Sequence, residues 1–254
     1  MTDSSFILEA GSVQRELKNG IATIRFGHPK SNSLPGALLT RLADVIAAAG
    51  SDPATTVIVL RSEGDGPFCA GASFDEFKTI QSAEQGRSFF SGFAKVVLAI
   101  IRAPQLVVTR VQGKTAGGGI GIVAASDYAL ATEAASLRLS ELAVGIGPFV
   151  VGPVIERKIG LAAFSAMAVD ADWRSAEWGR ERGLYAEVVS DIAKLDERVE
   201  QFAAKLAGYN PEAMRRLKEV FWQGTEDWDL MLAERAGISG ELVLSEFTRK
   251  AIAR

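Results

Sequence analysis

At 254 residues, 48% of them hydrophobic, the chain suffices for one large domain, or a domain with an appendage, around a sizeable core. A formal net charge of −3 and a pI near 5.4 offer no basic surface for nucleic acid, and apolar runs such as Val96 to Ile101 are too short to span a bilayer. With one histidine, His28, and one cysteine, Cys69, a zinc site of Cys/His type lacks ligands and no internal disulfide is available.

Met1 to Ser5 lack a basic segment followed by an apolar one, so no secretory leader is expected and a cytoplasmic setting is. Val13–Leu17 and Ile21–Phe26 alternate polar and apolar residues around Lys18-Asn19-Gly20, which predicts a β-hairpin. Pro35 suits a first helical turn, and Leu38, Leu39, Leu42, Val45 and Ile46 recur at helical spacing before Gly50. A buried strand is predicted at Val57–Leu60, an amphipathic helix over Ala83–Arg102 bounded by Pro104, and a second buried strand at Leu106–Val111. Short β segments follow at Tyr128–Ala131, Leu137–Leu139 and Ala186–Val189. From Asp191 the pattern turns helical: Ile192–Ala207, Pro211–Trp222 capped by Asn210, Trp228–Ala236, and Gly240 to the end. No linker or repeat marks a domain boundary, so a division between residues 165 and 195 rests on that shift alone.

Two glycine-rich turns, each after a predicted strand, carry the chemistry: Phe68-Cys-Ala-Gly-Ala-Ser73 and Gly113-Lys-Thr-Ala-Gly-Gly-Gly119. A backbone N–H is aimed at a reacting oxygen most readily where no Cβ intervenes, so Gly71 and Gly117 to Gly119 suit donor-presenting turns. Ser73 to Phe77 reads as the start of a helix, which makes the Ala72 N–H a natural donor. Each turn has a plainer reading. The first also fits a surface turn; the second fits close helix packing, or a dinucleotide turn, since Gly119 to Ala124 satisfies G-x-G-x-x-A. The brief helix before Ser126-Asp127 weighs against the last of these. His28 sits in a His-Pro turn, more a loop residue than a triad base, and Cys69 reads as a buried inert thiol. Glu141, in apolar surroundings that raise a carboxyl's pKa, fits an acid/base, although on the sequence alone a salt-bridged structural glutamate is the better reading.

Together the two turns and Glu141 resemble the enoyl-CoA hydratase/isomerase (crotonase) family, over roughly residues 12 to 254 and most densely from Phe68 to Gly160. That resemblance implies an α/β fold, a crotonase-like spiral of ββα units over residues 1–190 with a C-terminal helical trimerisation region over 191–254, assembled as a homotrimer or dimer of trimers. It implies that the amides of Ala72 and Gly118 form an oxyanion hole and that Glu141 handles the proton at the substrate α-carbon. Contacts to an acyl-CoA thioester would come from Lys30, Ser33, Ala70, Ala72, Ser73, Phe74, Asp75 and Gly118, with Lys30 meeting a phosphate. Coenzyme A is then part of the substrate, with no separate cofactor and no metal, nucleic-acid or membrane partner. The chain departs from the family at three places: Gly121 where hydratases carry a second glutamate, Ser73 where an aspartate is common, and Phe149 where the dehalogenase branch has its aspartate nucleophile. The implied reaction is hydration of a 2-enoyl-CoA in fatty acid metabolism. The run Ser140 to Phe149 resembles a methylglutaconyl-type branch. Double-bond isomerisation by Glu141 alone is the alternative reaction, and an acyl-CoA-binding scaffold the non-enzymatic one.

Overall fold

Asn19 and Gly20 both lie at positive φ, 51° and 78°, closing a tight turn whose twist matches its flanking strands. The expected hairpin therefore forms, from β1 (Ser12–Lys18) and β2 (Ile21–Gly27), with Lys18 opposite Ile21. The computed structural model describes residues 11–253, so the reading of Met1 to Ser5 falls outside the described residues. Beyond β2 the sheet is parallel. β2 pairs with β3 (Val57–Ser62), β3 with β4 (Leu106–Val111), β4 with β6 (Tyr128–Thr132) and β6 with β8 (Glu187–Val189). A separate parallel pair joins β5 (Thr115–Ala116) to β7 (Leu137–Arg138).

Helices fill the connections, because parallel neighbours need crossovers. α1 (Gly36–Ser51) links β2 to β3; the single turn α2 (Phe74–Phe77) and the long α3 (Ala83–Arg102) link β3 to β4; α4 (Gly118–Ala125) leads to β6. Between β7 and β8 lie α5 (Gly152–Ile159), α6 (Leu161–Asp170) and α7 (Ala176–Glu181), three short helices that the sequence pattern does not single out. The tail is helical throughout its described part: α8 (Ile192–Ala207), α9 (Pro211–Phe221), α10 (Trp228–Leu242) and α11 (Glu246–Ile252). The mixed α/β class with a helical C-terminal region is as expected.

The two-residue period of a strand divides the core into two layers. On β3, Ile58 and Leu60 join a large cluster with α1, α3 and α4, while Val57 and Val59 face Leu195, Val199 and Ala203 of α8. Both faces are covered, which is why β4 is buried at every position. One expectation fails. No break separates Trp228–Ala236 from a helix beginning at Gly240; α10 runs through both Gly237 and Gly240, and a fresh helix starts only after Ser245 caps it by accepting from the Thr248 amide. The glycine at 240 serves packing instead of termination. A Cβ on Gly86 of α3 would come within 2.7 Å of Gly240 Cα, so α10 crosses α3 at nearly backbone contact.

Polar side chains pin the tail to the sheet. Arg110, buried on β4, donates from Nε to Asp196 Oδ1 of α8 at 2.6 Å and from Nη2 to Asp196 Oδ2 at 3.1 Å. Lys218 of α9 reaches Asp127 Oδ2 at 2.9 Å and the Ile100 and Gln105 carbonyls at 2.8 Å each.

Candidate active site

The first glycine turn is stitched on both sides by its neighbours' backbone. Phe68 N–H donates to the Lys114 carbonyl at 2.9 Å, and Ala116 N–H to the Cys69 carbonyl at 2.8 Å. On the other edge Ala70 N–H donates to Ser31, while Leu34 N–H donates to Gly71 and Ser73 N–H to Leu34. Gly71 sits at φ +87°, and a Cβ there would stand 3.0 Å from the Ala116 carbonyl oxygen. Among the described residues, the amide of Ala72 is the one in this register left without an acceptor.

A matching arrangement holds the second turn. Gly117 N–H donates to the Arg138 carbonyl at 2.9 Å, and Gly117 adopts φ 51°, ψ −124°, a region open to glycine alone. Gly118 then begins α4, where the first amides of a helix have no intrahelical acceptor. Its N–H is unpaired as well. Ala72 and Gly118 both border one cavity of about 60 Å³. The expected pair of donors is thus assembled by β5, whose backbone clamps the first turn and leads into the second.

Glu141 borders the same cavity. It is held from its own backbone, whose carbonyl accepts from Val144 at 3.2 Å and Ile146 at 2.9 Å through a short 3₁₀ turn, Leu142–Val144, that ends at Gly145 (φ 83°). Its Oε2 is buried and has no hydrogen-bond partner. Burial pushes the carboxyl up to about 7, against the weaker pull of the Glu141 and Ser140 amides. A side chain at position 117 would strike it, since a Cβ there would lie 2.9 Å from Glu141 Oε1. Gly117 therefore both turns the chain and clears the carboxylate.

No second acid accompanies it: Glu141 is the single ionisable side chain on the cavity wall among the described residues. At Gly121 a Cβ would come within 2.5 Å of Val151 Cγ1, so Val151 fills the space a glutamate would need. The dinucleotide reading of this turn fails for the same reason, because a Cβ at Gly119 would lie 2.7 Å from Cys69 Cβ and one at Gly121 would meet Val151, leaving no room for a pyrophosphate. Asp75 and Glu76 do not supply the missing acid. Asp75 ion-pairs with Lys30 on the surface, and Glu76 Oε2 accepts from the Gly36 amide at 2.7 Å.

Of the residues singled out in the sequence, Ala70, Ala72, Phe74, Gly118 and Glu141 meet at the cavity. Lys30, Ser33, Ser73 and Asp75 do not line it. Ser33 Oγ is 3.1 Å from His28 Nδ1, and Ser73 Oγ caps α2 by accepting from the Glu76 amide at 3.4 Å. His28 borders a different depression, with Glu63 and Asn32. Cys69 is buried, its thiol pushed up to about 12, in keeping with an inert role. Sequence reasoning missed the wall of the cavity: Phe77, Phe90, Phe93, Ile146 and Val151. Phe90 and Phe93 lie on the apolar stripe of α3, where helical spacing cannot separate a pocket wall from a core residue. Phe77 packs against Phe90 with ring centroids 5.4 Å apart.

A family model described as enoyl-CoA hydratase/isomerase matches residues 16–240. An indene-carboxyl-CoA hydrolase of Rhodococcus jostii is 30% identical over 205 residues, covering 80% of this chain and 77% of its own. The mitochondrial methylglutaconyl-CoA hydratase of Rattus norvegicus is 30% identical over 199 residues, 77% of this chain and 63% of the relative. Among solved structures, an enoyl-CoA hydratase from Bacillus halodurans superposes with a TM-score of 0.87 at 22% identity, covering 95% of this chain and 98% of that one, a likeness of fold.

Proposed function

The chain belongs to the enoyl-CoA hydratase/isomerase family, and on that premise we propose that it hydrates an α,β-unsaturated acyl-CoA through an enolate held at the two glycine turns. The observation that carries this reading is Glu141, whose carboxyl, with one buried oxygen left unpartnered among the described residues, is pushed up to about 7 on the same cavity that Ala72 and Gly118 line. In the proposed step the Glu141 carboxylate accepts a proton from water as the water oxygen bonds to C3. The C2=C3 electron pair shifts toward the thioester carbonyl, whose oxygen receives hydrogen bonds from the Ala72 and Gly118 amides. Glu141 then returns the proton to C2, so one carboxyl serves as base and acid in turn. The coenzyme A moiety is assigned to the loop from His28 to Leu34, which is tied to the first turn through Ser31 and Leu34. There Lys30 would exchange Asp75 for a phosphate, and Ser33, Ser73 and Asp75 belong to the same assignment. No cofactor beyond that moiety is proposed.

Isomerisation of a 3-enoyl-CoA is the second reading, favoured by the absence of another carboxyl on the wall, since one base suffices to move a proton from C2 to C4. Self-association into a homotrimer or dimer of trimers is part of the proposal, supported by exposed apolar side chains on the tail helices: Leu217, Val220, Phe221, Leu230 and Ile238. Sedimentation at micromolar concentration tests it, and a monomer would count against it. Among the described residues no helix is long and apolar enough to cross a membrane.

The decisive experiment supplies 2-enoyl- and 3-enoyl-CoA thioesters and follows three products. Loss of the conjugated double bond with water added supports hydration. Transfer of an α-deuterium to C4 supports isomerisation. Release of free thiol would move the assignment to hydrolysis, and saturable binding with no turnover would leave the scaffold reading.

A further inference from the structure

Glu141 apart, every side chain lining the cavity among the described residues is uncharged. Phe74, Phe77, Phe90, Phe93 and Phe149 supply much of the wall, and among the described residues its other polar side chains are the hydroxyls of Ser140 and Ser239. Phe149 folds its ring back over Gly147, where a Cβ would lie 2.7 Å from Phe149 Cε2. The Arg235 guanidinium donates to the Phe149 carbonyl at 3.5 Å and is not part of the lining.

A carboxylate carried on an acyl chain into this space would surrender its hydration with no cation to replace it. It would also share a poorly solvated site with the Glu141 carboxylate, and like charges so placed disfavour one another's ionised form. An apolar tip meets aromatic and aliphatic carbon instead and gains from leaving water. Resting on the reading of this cavity as the acyl site of a thioester enzyme, we infer that the substrate's acyl group is uncharged and apolar, and that acyl groups ending in a carboxylate are excluded. A methylglutaconyl-type acyl group, expected from the run Ser140 to Phe149, ends in such a carboxylate and is therefore outside the substrate class.

The test compares two thioesters of nearly the same shape: 5-methyl-2-hexenoyl-CoA, and glutaconyl-CoA, in which a carboxylate replaces the isopropyl group. The neutral substrate is expected to show a kcat/KM higher by about 10²-fold or more, since a wall without a charge partner rejects the anion strongly. Comparable values for the two would overturn the inference and leave the reaction assignment standing. Should neither turn over, the saturated pair, 5-methylhexanoyl-CoA and glutaryl-CoA, is compared by calorimetry. Tighter binding of the neutral thioester then supports the acyl class even though the reaction assignment has failed. Equal binding, tighter binding of glutaryl-CoA, or binding of neither overturns the class as well.

Discussion

The carboxyl of Asp127 and the Oε2 of Glu141 are both taken out of water, and their surroundings differ completely. Asp127, following α4, accepts from the Val107 amide at 2.7 Å, from Trp222 Nε1 at 3.1 Å and from Lys218 Nζ at 2.9 Å. Glu141 Oε2 has no hydrogen-bond partner among the described residues. The first arrangement satisfies the charge and fixes α9 to the sheet; the second leaves the charge poorly solvated, with a free energy that is released only when a proton or a substrate arrives. A buried carboxyl that is fully bonded belongs to the architecture, and one left open beside unpaired amides belongs to the chemistry.

The contrast breaks most visibly at Glu141 itself. Glu141→Gln keeps the shape and removes the base, so turnover on the preferred enoyl-CoA should fall by about 10² to 10⁴. Activity near wild type in a steady-state assay would end the assignment. For the wild type, the carboxylate form is the one that acts first, so kcat/KM should rise with pH through about 7, where burial has placed the Glu141 carboxyl. A profile flat from pH 5 to 9 would contradict it.

At Asp127 the expected effect is on stability and not on rate. Asp127→Ala strands the Lys218 ammonium in a buried position, which should cost about 3 to 5 kcal/mol in a denaturant titration. The folded fraction should keep its kcat. A large loss of kcat with unchanged stability would reverse the roles drawn here.

The amide side of the site is probed by Gly118→Val. A Cβ at that position would come within 2.0 Å of Phe93 Cε1, so the turn must shift and carry its N–H away from the carbonyl. Loss of one such donor is worth about 2.7 to 4 kcal/mol in transition-state stabilisation, a fall in kcat of about 10² to 10³. Retained activity in a folded variant would place the thioester oxygen elsewhere.

The smallest effect sharpens the comparison by linkage. Glu141 is raised in the fold from an ordinary 4.5 to about 7, so the folded state holds its proton more tightly than the unfolded one. The associated stability is fully present below pH 4.5 and is lost as pH rises through about 7, amounting to about 3 kcal/mol at alkaline pH. Glu141→Gln lacks this titration. Its stability relative to wild type should therefore improve by up to about 3 kcal/mol between pH 4.5 and pH 8, measured as a difference of unfolding free energies. A constant difference across that range would show that the carboxyl is not held near neutrality.

By itself the sequence determined the hairpin at Asn19-Gly20, the apolar run that makes β3 a buried strand, the cap at Asn210, and the two glycine turns, because each is set by residue pattern or by backbone freedom within a few residues. It marked Glu141 through the spacing of a family motif, not through its residue type. Tertiary structure alone decided what surrounds the cavity that glutamate borders, since burial sums over elements far apart in the chain: the Gly117 turn beside it, α3 supplying Phe90 and Phe93, and Val151 closing the space next to Gly121. It also decided that Gly240 packs against Gly86 where a local reading places a helix end, because a glycine's lack of a Cβ permits a turn and a close crossing equally, and only the neighbour that fills the vacant volume distinguishes them.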